Sequence, residues 1–223
     1  RDNYGRKYPV KWDKFALQTG TCPWWAFDSS TGGMVLNEHG AYRMYRLLGV
    51  PSCNTHLFHL RVIDNSREVG RTQYEGDFWG LYIALGEPDG RFLAEMGLPD
   101  GNLYKMNGSP NKRNQGPTQD SGTADVNSFI SRKNSANSRA FWQRTVNLPR
   151  YYDYKIGTTL INNTDLRAEW NCLYYSRPRR PGDPNSGKWE MFPWDLDLTW
   201  ESKNHWRAES VWENWQRVLV YPE

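Results

Sequence analysis

The sequence lacks several features that would assign it directly to a class of proteins. It has 3 cysteines in 223 residues, and their wide spacing at Cys22, Cys53 and Cys172 excludes a Cys-x-x-Cys metal or redox motif. Three thiols allow at most one disulfide within this segment. No apolar run approaches the roughly 20 residues that cross a bilayer, so no membrane-spanning segment is predicted.

An excess of charge of one sign is also missing. Lysine and arginine total 28 against 25 aspartate and glutamate residues, which is a formal net charge of +3. Proteins that bind nucleic acids carry a strongly basic face, so no nucleic-acid partner is predicted. Short basic runs at 112–113 and 177–180 lie in loops rich in proline, glycine and asparagine and are interpreted as solvated.

Aromatic residues are abundant, with 12 tryptophans and 13 tyrosines. Together with many asparagine, glycine and threonine residues, this composition favours an exported protein at a cell surface or outside the cell. The sequence begins with Arg1 and no signal segment precedes it, so we expect a processed form or an excerpt of a longer chain.

Hydrophobic periodicity predicts an α+β fold with antiparallel hairpins. Strands are predicted at 8–18, 54–64, 77–87, 103–106 and 172–175, and helices at 34–48, 91–96, 138–146 and 151–161. Gly49 and Pro51 are typical of the end of the first helix. Residues 107–128 carry hardly an apolar side chain and are predicted to form a long flexible loop.

Two aspartates stand two residues apart near the C-terminal end. Apolar residues occupy the alternate positions, so an extended segment would place Asp195 and Asp197 on one face. Two carboxylates on one face suit a hard cation such as Mg²⁺, which usually binds together with phosphates. Asp-x-Asp also occurs in solvated turns and in metal-dependent glycosyl- or nucleotidyltransferases. A parallel β-α-β pattern in the sequence would favour the transferase class.

The order of polar residues before this motif is that of a kinase catalytic loop. Asp165 and Asn171 precede a β-hairpin whose second strand leads to Asp195. In kinases the loop aspartate orients the attacking hydroxyl, and the asparagine and the later aspartate hold the Mg²⁺ ions that bridge the phosphates. The interval from Asp165 to Asn171 is one residue longer than in the usual Asp-x-x-x-x-Asn form.

Several motifs, taken in order, resemble the spore-coat protein H (CotH) family of atypical, protein-kinase-like proteins over nearly the whole chain. They are Leu-Leu-Gly-Val-Pro (47–51), Asp-Phe-Trp-Gly-Leu-Tyr (77–82), Glu-Pro-Asp (87–89) with Arg-Phe-Leu (91–93), Gly-Asn-Leu-Tyr-Lys (101–105), the segment 163–174, and Pro-Trp-Asp-Leu-Asp (193–197). The resemblance implies a two-lobed protein-kinase-like fold, with a β-rich N-terminal lobe at 1–90 and a mainly helical C-terminal lobe with a catalytic hairpin at 91–223.

The resemblance also implies a function. The expected cofactors are ATP and Mg²⁺ or Mn²⁺, and the expected reaction is phosphoryl transfer to serine or threonine of an exported or surface-assembly protein. By position, Asp165 is the catalytic-loop residue, and Asn171, Asp195 and Asp197 are the metal ligands. Glu87 is expected near the connection between the lobes.

The nucleotide-contacting lysine is left open by the sequence. Lys11 lies on an early strand ahead of the helix that bears Glu38, as in the lysine–glutamate ion pair of kinases. Lys105 is the competing candidate, and the third alternative is that neither residue has this role.

The chain also departs from the usual kinase pattern. It has no Gly-x-Gly-x-x-Gly loop, and its metal motif reads Asp-Leu-Asp instead of Asp-Phe-Gly. The alternative is therefore a catalytically silent relative that serves as a structural, glycan-binding or protein-binding domain of an extracellular assembly. Its many tryptophans would then stack on sugars, whereas in a large core they would simply be buried.

Overall fold

The computed structural model describes residues 14–19, 34–61, 78–136, 138–163, 166 and 169–200. The strands are β1 (Phe15–Thr19), β2 (Thr55–Arg61), β3 (Phe78–Gly86), β4 (Asn102–Asn107), β5 (Pro110–Asn114), β6 (Trp170–Ser176) and β7 (Trp189–Pro193). The helices are α1 (Met34–Leu47), α2 (Gly90–Glu95), α3 (Ala124–Ser135), α4 (Arg139–Thr145) and α5 (Leu148–Leu160). Within these residues, no helix combines the length and the apolar character needed to cross a membrane.

The helix α1 forms where it was predicted and packs one face into the core. Val35, Tyr42 and Tyr45 recur at helical spacing and are buried. Gly49 ends the helix with φ 77°, and the N–H of Val50 returns to the carbonyl of Tyr45 at 2.9 Å. A glycine in the left-handed region is the usual way to satisfy the last carbonyls of a helix.

The first sheet has the strand order β1-β3-β2, with both pairings antiparallel. Its central strand β3 buries Ile83 and Leu85. The antiparallel pairing of the first half is as predicted, although residues 8–13 of the first predicted strand lie outside the described residues.

The second sheet has the order β5-β4-β6-β7 and is also antiparallel. The prediction of a long flexible loop at 107–128 is wrong, because β5 and the start of α3 lie there. As an edge strand, β5 buries none of its side chains and needs no apolar residues. The helix α3 contributes Val126 and Phe129 to the core, too few apolar residues to stand out in a polar sequence.

The second sheet presents two faces. Lys105 of β4 pairs with Leu173 of β6, which pairs with Phe192 of β7, so these three side chains point to the same side of the sheet. On this side the ring of Phe192 packs against Phe92 of α2, with 6.0 Å between the ring centroids. We call this side the α2 face. Trp189 points to the opposite side, the α3 face, where it stacks on the ring of α3 residue Phe129 at 4.6 Å.

The helix α5 begins at Leu148, earlier than the predicted residue 151. Pro149, interpreted from the sequence as a break, occupies the first turn, where its missing N–H costs no helical hydrogen bond. Gly157 faces α1, and a Cβ added there would lie 2.6 Å from the Tyr45 ring. The glycine therefore allows α5 to approach α1 closely enough for Tyr45 to stack on Tyr154 at 5.5 Å.

The mixed α+β class with antiparallel sheets is confirmed. The expectation of a mainly helical second half is only partly right, since a four-stranded sheet lies there with the helices. The first sheet precedes residue 90 and the second follows it, while one hydrophobic core includes residues from both parts. The division into two kinase-like lobes stays a prediction.

Candidate functional site

A sharp turn follows β7 and carries the Asp-x-Asp motif. The prediction of one extended strand through this motif is wrong, because β7 ends at Pro193 and Asp195 adopts φ 58°, in the left-handed region. The apolar neighbours Trp194 and Leu196 are nevertheless buried, as their alternation predicted. The N–H of Asp195 donates to the hydroxyl of Tyr42 in α1 at 3.2 Å, which fixes the turn against that helix.

Three carboxyl groups, those of Glu38, Asp195 and Asp197, form an acidic cluster between α1 and this turn. Burial raises the pKa of Glu38 well above its ordinary value, and the negative charges of Asp197 and Asp195 raise it further. The backbone N–H of Leu196 donates to Glu38 and acts in the opposite direction. Because like charges disfavour joint ionisation, these surroundings favour the protonated form of Glu38.

Of the two candidate lysines, Lys105 of β4 is the one that the structure describes, and it lies beside Asp195. Its Nζ is 4.4 Å from the centre of the Trp194 ring. Burial raises the pKa of Asp195, and the positive charge of Lys105 lowers it in part. Lys11, the other candidate from the sequence, lies outside the described residues.

Glu38 has an amide partner on the first sheet. With its amide nitrogen turned toward the carboxyl group, Gln18 of β1 donates to both oxygens of Glu38, at 2.8 and 3.0 Å. Among the described residues, Gln18 is thus a side-chain partner of Glu38, the glutamate for which the sequence pattern predicted a lysine partner. Sequence reasoning missed this residue, since a single glutamine in a strand carries no signal.

Asn171 lies in a β-bulge at the start of β6. The pairing between β4 and β6 shifts register at this point, and Asn171 is buried with φ 55°. A bulge reorients a side chain and is common next to functional sites. The preceding Glu169 also has a positive φ, of 57°, and forms an ion pair with the fully buried Lys133 of α3.

Of the two remaining candidate residues, Glu87 lies within the described part of the chain and Asp165 does not. Asp165, the expected catalytic-loop residue, lies outside the described part of the chain. Glu87 follows β3 directly and accepts a hydrogen bond from Arg113 of β5, so it links the end of the first sheet to the edge of the second.

The oxygen atoms of Asp195, Asp197 and Asn171 suit a cation that binds together with phosphates better than a metal ion that is bound permanently. Within the described residues, no group of three or more histidine, cysteine, aspartate or glutamate side chains could hold a metal ion. Mg²⁺ usually takes one or two carboxylates and completes its shell with water and substrate phosphates. The carboxylates of Asp195 and Asp197 and the amide oxygen of Asn171 are hard oxygen donors of this kind.

The structure bears on the alternatives left open by the sequence. All ladders between the described strands are antiparallel, so the parallel pattern of a nucleotidyl- or glycosyltransferase is not seen there. Trp142, one of the tryptophans considered for sugar stacking, is buried in the core. The cysteines Cys53 and Cys172 are buried free thiols.

Comparison with known families supports the resemblance. A family model described as CotH kinase protein matches residues 29–221, which is nearly the whole chain. The matched range includes every residue assigned above except Lys11 and Gln18. Comparison with curated proteins gave no match.

Proposed function

The chain belongs to the CotH kinase protein family, and on this premise we propose that it transfers the γ-phosphoryl group of ATP to serine or threonine residues of a protein. One observation carries the proposal: the turn at Asp195 is held against α1 by the hydroxyl of Tyr42, and Lys105 of β4 lies over the ring of Trp194 in the same turn. Elements from distant parts of the sequence therefore meet beside Glu38 of α1, whose pKa is raised by the charge of Asp195. An acidic cluster with one adjacent lysine is suited to a metal–nucleotide complex.

Each residue has a distinct role in the proposed mechanism. Asp195 and Asp197 bind the divalent cation, Mg²⁺ or Mn²⁺, with the amide oxygen of Asn171 as a further ligand. When bound, the cation supplies neutralisation of the negative charge that develops on the phosphates. Lys105 directs its ammonium group toward the same phosphates, and Asp165 orients the attacking hydroxyl.

The proposed phosphate acceptor is an exported or surface-assembly protein, and the proposed location is outside the cell or at its surface. Aromatic-rich, lysine-poor composition supports this part of the proposal. Recovery of the native protein from the medium or the cell envelope would test the location.

The first test of function is ligand-induced stabilisation. A ligand that binds only the folded state at about 100 times its Kd raises the free energy of unfolding by about 2.7 kcal/mol. We expect ATP with Mg²⁺ to stabilise the wild-type protein, and we expect Asp195→Ala to abolish this effect. The control is Asp153→Ala, which removes a half-buried aspartate of α5 for which the structure shows no ion pair among the described residues.

Thermal unfolding of the three proteins, each with and without ATP and Mg²⁺, gives the result directly. A stabilisation that survives in Asp195→Ala would remove this residue from the site. An absence of any shift in the wild-type protein would contradict nucleotide binding altogether.

A silent binding domain is the second candidate, and the pairing of Glu38 with Gln18 favours it. In kinases the corresponding glutamate holds the phosphate-contacting lysine. Transfer of radiolabelled phosphate to a serine-rich acceptor protein separates the two candidates. Stabilisation by ATP without any transfer, to the acceptor or to the chain itself, would identify the silent domain.

A further inference from the structure

A cavity lies on the α3 face of the second sheet, on the side opposite to Lys105. It has a volume of about 840 Å³. Its walls are α3, α4 and the 177–188 loop between β6 and β7, and Trp189 and Phe129 form its floor. We call it the basic cleft.

The cleft has an excess of positive charge. Arg132, Arg144, Arg179 and Lys188 line it, and among the described residues none of these four forms an ion pair. The one acidic lining residue, Asp125, already accepts hydrogen bonds from Tyr104 and Asn102.

The loop that supplies part of this charge is held in a defined shape. Arg177 pairs with Asp183 within the loop and with Glu190 of β7, and its backbone N–H donates to the carbonyl of Lys188 at 3.0 Å. Gly187 leaves room for the side chain of Arg179, because a Cβ there would come within 3.3 Å of it. The interpretation of residues 177–180 as simply solvated is therefore incomplete, since this segment forms one wall of the cleft.

The chemistry of the lining favours phosphate groups over nucleic-acid bases. Trp189 and Phe129 are 8% and 2% exposed and stack on each other, so they offer no free ring face for a base. The third aromatic lining residue, Phe141, has the guanidinium group of Arg132 over its ring, at 5.3 Å from the ring centroid. Three of the four cations are arginines, whose planar guanidinium groups bind phosphate with two parallel hydrogen bonds.

The volume restricts the ligand further. A cavity of this size accommodates a drug-sized ligand, and thus only a few side chains of a peptide. One phosphoserine carries about −1.5 to −2 charges at neutral pH. Two phosphorylated residues therefore supply enough charge for the four cations, whereas about four carboxylate side chains would have to enter the same space.

We propose that the basic cleft binds a protein segment that carries phosphoserine or phosphothreonine. The binding follows from the cleft alone. The source of the segment rests on the proposed function, because such segments are the product of that reaction. An acceptor with many serines would remain bound at the α3 face through its phosphorylated residues while a further serine reaches the site on the α2 face.

The test is direct binding of short peptides to the full chain without ATP or metal. Fluorescence anisotropy compares a labelled peptide with two phosphoserines to the same sequence with serine and with aspartate at those positions. The cleft variants are Arg144→Gln/Arg179→Gln and, independently, Arg132→Gln/Lys188→Gln. The control is Arg139→Gln, an exposed arginine of α4 that does not line the cleft.

We expect the doubly phosphorylated peptide to bind best, and each double variant to weaken its binding about tenfold or more, because two charge-assisted hydrogen-bonding groups are lost. Arg139→Gln and Asp195→Ala should leave the affinity unchanged. The Asp195→Ala result separates the cleft from the proposed phosphotransfer site, so the two proposals can fail independently.

Four results would overturn the proposal. They are no binding at millimolar peptide, equal affinity in the cleft variants, equal affinity for the aspartate peptide, and complete displacement by inorganic phosphate at a concentration equal to that of the peptide. The third would identify an acidic segment as the occupant, and the fourth would identify free phosphate.

Discussion

Two regions of this molecule concentrate charge, and they do so in opposite ways. The acidic cluster combines the buried Glu38 with the half-buried Asp195 and Asp197, and it is assembled from segments more than 150 residues apart. In the basic cleft, Arg132, Arg144 and Arg179 are exposed and Lys188 is half-buried, and these cations come from α3, α4 and one loop.

The difference between the regions is one of energetic cost. Burial of carboxylates near each other is unfavourable unless a proton or a cation compensates it. Cations in contact with water cost little and can be gained or lost with small effect on stability. The energetic cost of the acidic cluster therefore indicates a binding function, whereas the cations of the cleft carry little such cost.

Removal of one partner from a buried ion pair should have the largest effect on the free energy of unfolding. Lys133 is fully buried and pairs with Glu169, two residues before Asn171. We expect Lys133→Met to lower the free energy of unfolding by about 3–5 kcal/mol, because Glu169 keeps a poorly solvated charge without its partner. Urea denaturation measures the change.

The matched control is Lys188→Met, which removes a lysine of the basic cleft by the same substitution. We expect it to leave stability nearly unchanged. The double variant Lys133→Met/Glu169→Gln should recover part of the loss, since no buried charge is then left unpaired. Equal destabilisation by the two single variants would contradict the difference in energetic cost between a buried ion pair and a cation of the cleft.

Substitution of Glu38 is expected to have a smaller effect on stability, and this effect should depend on pH. Its pKa is raised from 4.5 in the folded protein, so the folded state binds this proton more tightly than the unfolded state does. The contribution of Glu38 to stability is therefore fully present below pH 4.5 and is lost as the pH rises through the folded pKa. Glu38→Gln stays neutral, so its stability relative to the wild-type protein should increase with pH.

Unfolding in metal-free buffer at several pH values from acidic to neutral tests this sign. Asp153→Asn on α5 is measured in the same buffers as the matched control. If Glu38→Gln became relatively less stable as the pH rises, the acidic cluster would have to be compensated by a cationic group.

The smallest effect on stability is expected in the basic cleft. Arg144→Gln/Arg179→Gln should change the free energy of unfolding by no more than about 0.5 kcal/mol, as is usual for surface substitutions. The same variant is expected to lose most of its phosphopeptide binding, which would show that these arginines serve a ligand. A large loss of stability on denaturation would instead assign them a structural role.

Local patterns allowed much of the fold to be predicted. The spacing of apolar residues in α1, the glycine after it and the apolar run of β3 depend on neighbours a few residues away. The prediction failed at residues 107–128, where β5 is stabilised by pairing with β4 rather than by its own side chains. It failed again after Pro193, where the hydroxyl of Tyr42, 153 positions away, holds the turn at Asp195.

The sequence by itself determined the α+β class, most of the elements, the Asp-x-Asp motif and, through several motifs in order, the family. Only the tertiary structure decided that Gln18 pairs with Glu38, that Lys105 lies beside Asp195, and that residues 177–188 form a wall of a basic cleft. The physical reason is that periodicity and capping act within a few residues, whereas these proximities arise from packing between elements far apart in the chain.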